Sequence, residues 1–137
     1  MRWTGFRYYL PFTVWVAWVV YLSFSPLKGW PKPGLFEQLF LDKLIHLFMY
    51  GTMSFLLLWG YRKCRRAHIE ANQAWLRVAF CAFIGLVIEI LQPVLTLYRT
   101  HELLDMLANV VGAALGYGLF WKTSESVRAE LRHPPGT

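Results

Sequence analysis

Residues 75–95 read WLRVAFCAFIGLVIEILQPVL, and their only charged side chains are those of Arg77 and Glu89. A run of about 20 apolar residues is what an α-helix needs to cross a hydrocarbon core about 30 Å thick. Three further runs of similar length occur at about residues 8–24, 41–61 and 103–121. The connections between the runs are too short for a soluble domain. We therefore predict a single transmembrane domain over residues 1–137, an all-α integral membrane four-helix bundle.

The composition also indicates a membrane protein. Hydrophobic residues make up 56% of the chain and charged residues only 16%, whereas a soluble domain carries charge on about a quarter of its residues. The net charge is +6, but the basic residues lie at the ends of the apolar runs and not along a binding stripe. The lipid bilayer is the predicted partner, and no nucleic acid is expected.

The lysines and arginines predict the orientation of the bundle, because basic residues concentrate on the cytoplasmic side of membrane proteins. One side carries Lys28, Lys32, Lys43 and Arg99, and the other carries Arg2, Arg7, Arg62, Lys63, Arg65, Arg66, Arg77, Lys122, Arg128 and Arg132. The richer side is predicted to be cytoplasmic, which places the N and C termini there. Helices two and four then enter the membrane from outside, and helix three leaves toward the outside.

Polar residues interrupt helices two to four at spacings of three or four, so each set shares one helix face. The sets are Asp42, Lys43, His46 and Tyr50 on helix two, Glu89 and Gln92 on helix three, and Asp105 and Asn109 on helix four. At 1.5 Å per residue, His46, Glu89 and Asp105 all lie within roughly 5–10 Å of the outer end of their helices. Ionisable groups at membrane depth are costly unless paired, so this convergence marks a candidate functional site.

Two local patterns predict packing. Gly112 and Gly116 form a GxxxG pair, which is typical of close helix contact, and oligomerisation through them is one outcome of such a pair. Apolar residues at 35, 36, 39 and 40 have helical spacing, which favours a short interfacial segment leading into helix two.

At these residues the chain resembles the VanZ-like family of teicoplanin-resistance-associated membrane proteins. The resemblance lies in Asp42-Lys43-x-x-His46-x-x-x-Tyr50-Gly51, in Glu89-x-x-Gln92, and in Arg99 followed by Asp105-x-x-x-Asn109-x-x-Gly112. The family often has a serine or aspartate between the arginine and the matched aspartate, where this chain has residues 100–104. The resemblance implies a multi-pass protein of the bacterial cytoplasmic (inner) membrane that is linked to the cell envelope and to antibiotic resistance. It implies no particular reaction.

These patterns lead to a hypothesis of an outward-facing polar pocket that binds, and chemically processes, a lipid headgroup, a lipid-linked envelope precursor or a glycopeptide. The candidate catalytic residues are His46, Glu89 and Asp105. The candidate substrate-binding residues are Asp42, Lys43, Tyr50, Gln92, Arg99 and Asn109. The negative charges of the three carboxylates can be balanced by Lys43, Arg99 and a protonated His46, so no cofactor is predicted. A divalent metal held by His46 and two carboxylates is an alternative. A second hypothesis is a non-catalytic assembly or binding protein whose polar network is structural, so the sequence leaves open whether the protein is an enzyme.

Overall fold

The computed structural model describes residues 3–25, 35–65, 69–96 and 103–132, with side chains placed over 5–25, 40–65, 69–96 and 103–124. All regular elements in these ranges are helical, and four of them are α-helices. A 3₁₀ segment at Trp3–Tyr9 leads into α1, and the α-helices are α1 (Leu10–Phe24), α2 (Leu35–Arg65), α3 (Ala71–Leu95) and α4 (Leu103–Arg132). The prediction of an all-α, four-helix architecture is confirmed.

The helices differ from the predicted ranges mainly in length. The segment predicted as interfacial is continuous with α2, which begins at Leu35, because no proline or glycine separates it from the apolar run. Helix α4 continues past residue 121 to Arg132 because hydropathy marks where a chain leaves the apolar layer and not where its helix ends. Pro11 lies in the first turn of α1, where its missing N–H costs least.

Within the described ranges, three helical segments are long and apolar enough to cross a membrane: Phe40–Arg65, Ala71–Leu95 and Leu103–Ser124. The α-helical part of α1 has 15 residues and is therefore about 22 Å long, shorter than the hydrocarbon core. The 3₁₀ segment before it adds length at the N-terminal end. Crossing of the membrane by this first helix stays a prediction.

The four helices pack with large apolar side chains on the outside and polar ones on the inside. Outward-facing side chains such as Leu76, Phe83 and Val94 on α3 are more than half exposed, as expected for groups that contact lipid. Helix α1 joins the bundle through Val19, which is fully buried, and through Trp15, whose indole N–H donates to the main-chain oxygen of Met49 at 2.9 Å.

The most extensive contact in the fold joins α2 to α4, and glycines make it close. A Cβ atom at Gly112 would lie 2.6 Å from the main-chain oxygen of Leu47, and one at Gly116 would collide with the main chain of Gly51. Ser54 crosses the same contact, donating to the main-chain oxygen of Ala113 at 2.7 Å. Both glycines of the GxxxG pair thus make close helix contact within one chain, the packing role that the pair is typical of, and oligomerisation through them stays a prediction.

Candidate functional site

Six polar residues from three helices meet inside the bundle and form a cluster, here called the polar cluster. They are Asp42, Lys43 and His46 of α2, Glu89 of α3, and Asp105 and Asn109 of α4. The helices place them by register: His46 follows Asp42 by one turn, and Asn109 follows Asp105 by one turn. His46, Glu89, Asp105 and Asn109 are all buried, each 5% exposed or less.

The orientation of the His46 ring follows from the hydrogen bonds of Asn109. The amide nitrogen of Asn109 donates to Glu89 Oε1 at 3.4 Å, so its amide oxygen is the atom that faces His46. That oxygen lies 2.8 Å from His46 Nδ1, and an amide oxygen is an acceptor only. Nδ1 therefore carries a hydrogen, and Glu89 Oε1 lies 3.5 Å from the same nitrogen. Asn109 and Glu89 together fix the ring and its tautomer.

The other ring nitrogen, Nε2, points to the opposite side of the cluster. Asp42 Oδ1 lies 4.0 Å from it, which is beyond hydrogen-bond distance. A neutral ring protonated at Nδ1 presents a lone pair at Nε2. The arrangement therefore orients His46 through one nitrogen, and the other nitrogen of the neutral ring is left with its lone pair.

Lys43 supplies the positive charge of the cluster. Its ammonium group donates to Asp105 Oδ1 and lies 3.5 Å from Asp42 Oδ2. Two carboxylates from different helices thus hold one cation, as expected for charges that are removed from water.

Exposure increases in one direction through the cluster, from Glu89 toward Asp42. The exposed fraction of the side chain is 2% at Glu89, 6% at His46, 19% at Lys43 and 37% at Asp42. Nε2 of His46 lies on the more exposed side, because it faces Asp42. Nε2 of His46 and the Lys43 ammonium group therefore lie between the buried Glu89 and the more exposed Asp42.

Two further predicted site residues, Tyr50 and Gln92, are buried beside the cluster. The Tyr50 ring is stacked on the His46 ring with the centroids 6.4 Å apart. The Gln92 amide donates to the main-chain oxygen of Ser23 at 2.9 Å, which joins α3 to the end of α1. The predicted Arg99 lies outside the described residues.

Sequence reasoning missed two contributors to the site. Gly85 lies one turn before Glu89, and a Cβ atom there would lie 2.8 Å from the Tyr50 ring and 3.0 Å from the Asn109 amide nitrogen. Its spacing from Glu89 was a usable signal, since both lie on one face of α3. Ser23 contributes the main-chain oxygen that accepts from Gln92, and no residue type reveals such an acceptor in a sequence.

The ligand atoms of Asp42, His46 and Asp105 lie within 4.8 Å of one another, a spacing that can hold a metal ion. The chemistry of the donor set fits a divalent cation, because it combines an imidazole nitrogen with two carboxylates. The Lys43 ammonium already lies between the two carboxylates, however. The Lys43 ammonium group therefore lies where a metal ion would contact the two carboxylates.

Comparison with known proteins places the chain in a family. The family model described as VanZ/LLP1 matches residues 3–125. An uncharacterised protein of Schizosaccharomyces pombe is 33% identical over 96 residues, which is 69% of this chain and 51% of the relative, so the chain spans about half the length of that protein. No solved structure matches. Because the family model covers nearly the whole chain, this multi-pass, helical membrane protein belongs to the VanZ/LLP1 family.

Proposed function

We propose that the polar cluster binds the phosphate-bearing headgroup of a membrane lipid or lipid-linked precursor, and that His46 moves a proton during its chemical processing. In this proposal Lys43 contacts the phosphate and Nε2 of His46 is the acid–base atom. Asn109 and Glu89 hold the ring, as an acceptor on Nδ1 does for a catalytic histidine. The oxygen of an attacking water or hydroxyl forms a bond to phosphorus as its proton passes to Nε2. The bond from phosphorus to the leaving oxygen breaks, and Nε2 returns the proton to that oxygen.

One observation carries the proposal: His46 is anchored through Nδ1 at 2.8 Å, while Nε2 makes no hydrogen bond to any residue that the structure describes and faces the more exposed side. A histidine that served only to hold helices together would be expected to use both nitrogens, since an unused polar atom at membrane depth costs free energy. A general base needs the opposite arrangement, with one nitrogen fixed and the other available.

An anionic ligand is favoured by the position of Lys43. Its side chain is 19% exposed, more than that of Asp105, to which it binds. An ammonium group donates to phosphate oxygens as it does to carboxylates, so Lys43 can contact an anionic headgroup that enters from the more exposed side. We propose that Lys43 serves as the cation of this site and that no metal is required.

The relative in Schizosaccharomyces pombe supports a ligand that is not confined to bacteria, such as a phospholipid headgroup. The likeness to proteins linked to teicoplanin resistance supports an effect on the cell envelope. We propose the bacterial cytoplasmic membrane as the location of this chain, with both termini cytoplasmic and the polar cluster facing outward. Expression of the chain is then expected to raise the teicoplanin concentration that cells tolerate, and His46→Gln to abolish the increase.

The test uses purified protein reconstituted into vesicles of phosphatidylglycerol and phosphatidylethanolamine. Headgroup release or transfer is followed by phosphorus NMR, and binding by photocrosslinking of a phosphatidylglycerol analogue. His46→Gln is expected to lower the rate by about 100-fold or more, the usual contribution of a general base. Lys43→Gln is expected to weaken crosslinking near the start of α2.

Lys122→Gln is the matched control, because it removes an exposed lysine far along α4 from the cluster. It is expected to leave rate and crosslinking unchanged. A His46→Gln protein that folds and keeps the wild-type rate would refute the acid–base role. Equal crosslinking of Lys43→Gln and wild type would refute the headgroup site.

A structural network is the second candidate, and the contacts of Gln92 and Ser54 favour it locally. Both side chains donate to main-chain oxygens of another helix and are buried. If the whole cluster had only this structural role, His46→Gln would lower stability as much as Gln92→Ala does, and neither variant nor wild type would release or transfer a lipid headgroup. Measuring unfolding and lipid chemistry on the same His46→Gln sample separates the two functions.

A further inference from the structure

A second set of charged residues lies at the other end of the bundle, where α2 ends and α3 begins. We call it the basic cluster; its members are Arg62, Lys63 and Arg65 of α2 and Arg77 of α3. Sixteen residues along α2 separate His46 from Arg62, which is about 24 Å. The basic cluster is therefore independent of the polar cluster.

The Tyr61 ring organises the basic cluster. The Arg77 guanidinium carbon lies 3.3 Å from the centroid of this ring, and that of Arg65 lies 5.9 Å from it. Gln73 holds both Tyr61 and Arg77, because its side-chain oxygen accepts from the Tyr61 hydroxyl and its main-chain oxygen accepts from the Arg77 guanidinium group. Two guanidinium groups are thus fixed at one aromatic ring.

The remaining members are also held by neutral groups. Arg62 donates to the Ser124 hydroxyl, and the Lys63 ammonium lies 5.9 Å from the Trp59 ring centroid. Among the described residues, no carboxylate forms an ion pair with any of the four cations, and the ion pairs all belong to the polar cluster. The exposed Glu70, one residue before α3, forms no ion pair with them either.

The helix dipole explains part of this charge but not all of it. Cations in the last turn of α2 are stabilised by the negative end of that helix. Arg77 lies in the second turn of α3, near the positive end of its helix, where a cation gains nothing from the dipole. Its fixed position at the same ring as Arg65 adds repulsion between like charges. Such an arrangement is stabilised by an anion.

We infer that Arg65 and Arg77 bind the phosphate group of an anionic phospholipid at this end of the bundle, and that Arg62 and Lys63 add to the positive charge there. A guanidinium group matches phosphate oxygens with paired N–H donors. The site lies where the apolar spans Phe40–Arg65 and Ala71–Leu95 end and begin, which is the depth of lipid headgroups. Tyr61 and Trp59 suit the same layer, because aromatic rings with a polar edge prefer the membrane interface.

Retained lipids are counted by mass spectrometry of the intact, detergent-purified chain after incubation with phosphatidylglycerol, phosphatidylcholine or inorganic phosphate. Wild type is expected to retain phosphatidylglycerol in preference to phosphatidylcholine. Each basic side chain near a headgroup contributes about 1 kcal/mol, or roughly five-fold in affinity. The double variant Arg65→Gln/Arg77→Gln is therefore expected to bind phosphatidylglycerol about 25-fold more weakly.

Arg7→Gln is the control for charge, because Arg7 is exposed and contacts Tyr8 instead of Tyr61. It is expected to retain phosphatidylglycerol like wild type. Arg77→Lys keeps the charge but loses the paired donors, and intermediate retention is expected. If the double variant does not fold, Arg65→Gln alone carries the test, since its side chain is exposed, with an expected five-fold loss.

Equal retention of phosphatidylglycerol by wild type and by the folded variants would overturn the inference. So would equal retention of phosphatidylglycerol and phosphatidylcholine by wild type. If inorganic phosphate bound as tightly as phosphatidylglycerol, the site would be assigned to a free anion, and the inference that its ligand is a phospholipid would be overturned. None of these results depends on His46, so they neither support nor refute the proposal that the polar cluster processes a headgroup.

Discussion

Replacing Gly112 by alanine is expected to force α2 and α4 apart. The added Cβ atom would lie 2.6 Å from the main-chain oxygen of Leu47 and 2.9 Å from its Cα atom. Ordinary contact begins at 3.4 Å, so the helices must separate by about 0.8 Å. Both close atoms belong to the main chain of α2, and no rotation of a side chain relieves the contact.

The separation weakens two hydrogen bonds that span the same pair of helices. The Ser54–Ala113 bond would lengthen from 2.7 Å and the His46–Asn109 bond from 2.8 Å, each to about 3.5 Å, where little energy remains. Loss of two such bonds costs about 2 kcal/mol, and overpacking adds about 1–3 kcal/mol. Alanine regains about 1 kcal/mol of helix propensity. The net loss in the free energy of unfolding is about 2–4 kcal/mol.

The assay is reversible unfolding in mixed micelles with increasing dodecyl sulfate, followed by circular dichroism. Gly118→Ala is the matched control on the same helix, because nothing lies within 4 Å of a Cβ atom there. It is expected to leave stability unchanged or to raise it by about 0.5–1 kcal/mol. The steric reasoning is refuted if Gly112→Ala unfolds together with wild type, or if Gly118→Ala loses as much stability as Gly112→Ala.

Three further predictions follow from the contacts described above. Gln92→Ala removes the donor to the main-chain oxygen of Ser23. It should lower the free energy of unfolding by about 2 kcal/mol and raise the rate of hydrogen exchange at the end of α1. The control Gln73→Ala, at the other end of α3, should leave the exchange rate at the end of α1 unchanged. Asn109→Ala removes the acceptor at His46 Nδ1 and should lower the rate of headgroup processing at least ten-fold; an unaltered rate in the folded variant would argue against ring orientation by Asn109. Chelator treatment should leave lipid crosslinking unchanged if Lys43 is the cation of the site, whereas a loss that added zinc or magnesium restores would assign that position to a metal.

Much of the fold could be predicted from the sequence because its determinants are local. Apolar runs of sufficient length require helices, since unpaired main-chain groups are too costly in lipid. The helical period of 3.6 residues also places Asp42 and His46 on one face of α2, and Asp105 and Asn109 on one face of α4. For these reasons the four helices, and the sharing of faces within each, were predictable without a structure. The ends of α2 and α4 were not, because hydropathy follows the apolar layer and a helix continues beyond it.

Only the tertiary structure decided how those faces meet. The period of a helix fixes relative angles along it but not its rotation against a neighbour, so the pairing of Lys43 with Asp105 could not be read from spacing. Main-chain acceptors such as that of Ser23 carry no residue signature, and the packing pair at Gly112 and Gly116 does not state whether its partner lies in the same chain. The two-sided environment of His46, anchored at Nδ1 and open at Nε2, exists only once α2, α3 and α4 are packed together. Sequence alone determines which residues are available, and helix packing determines which atoms of each one are held by neighbouring side chains and which are left open.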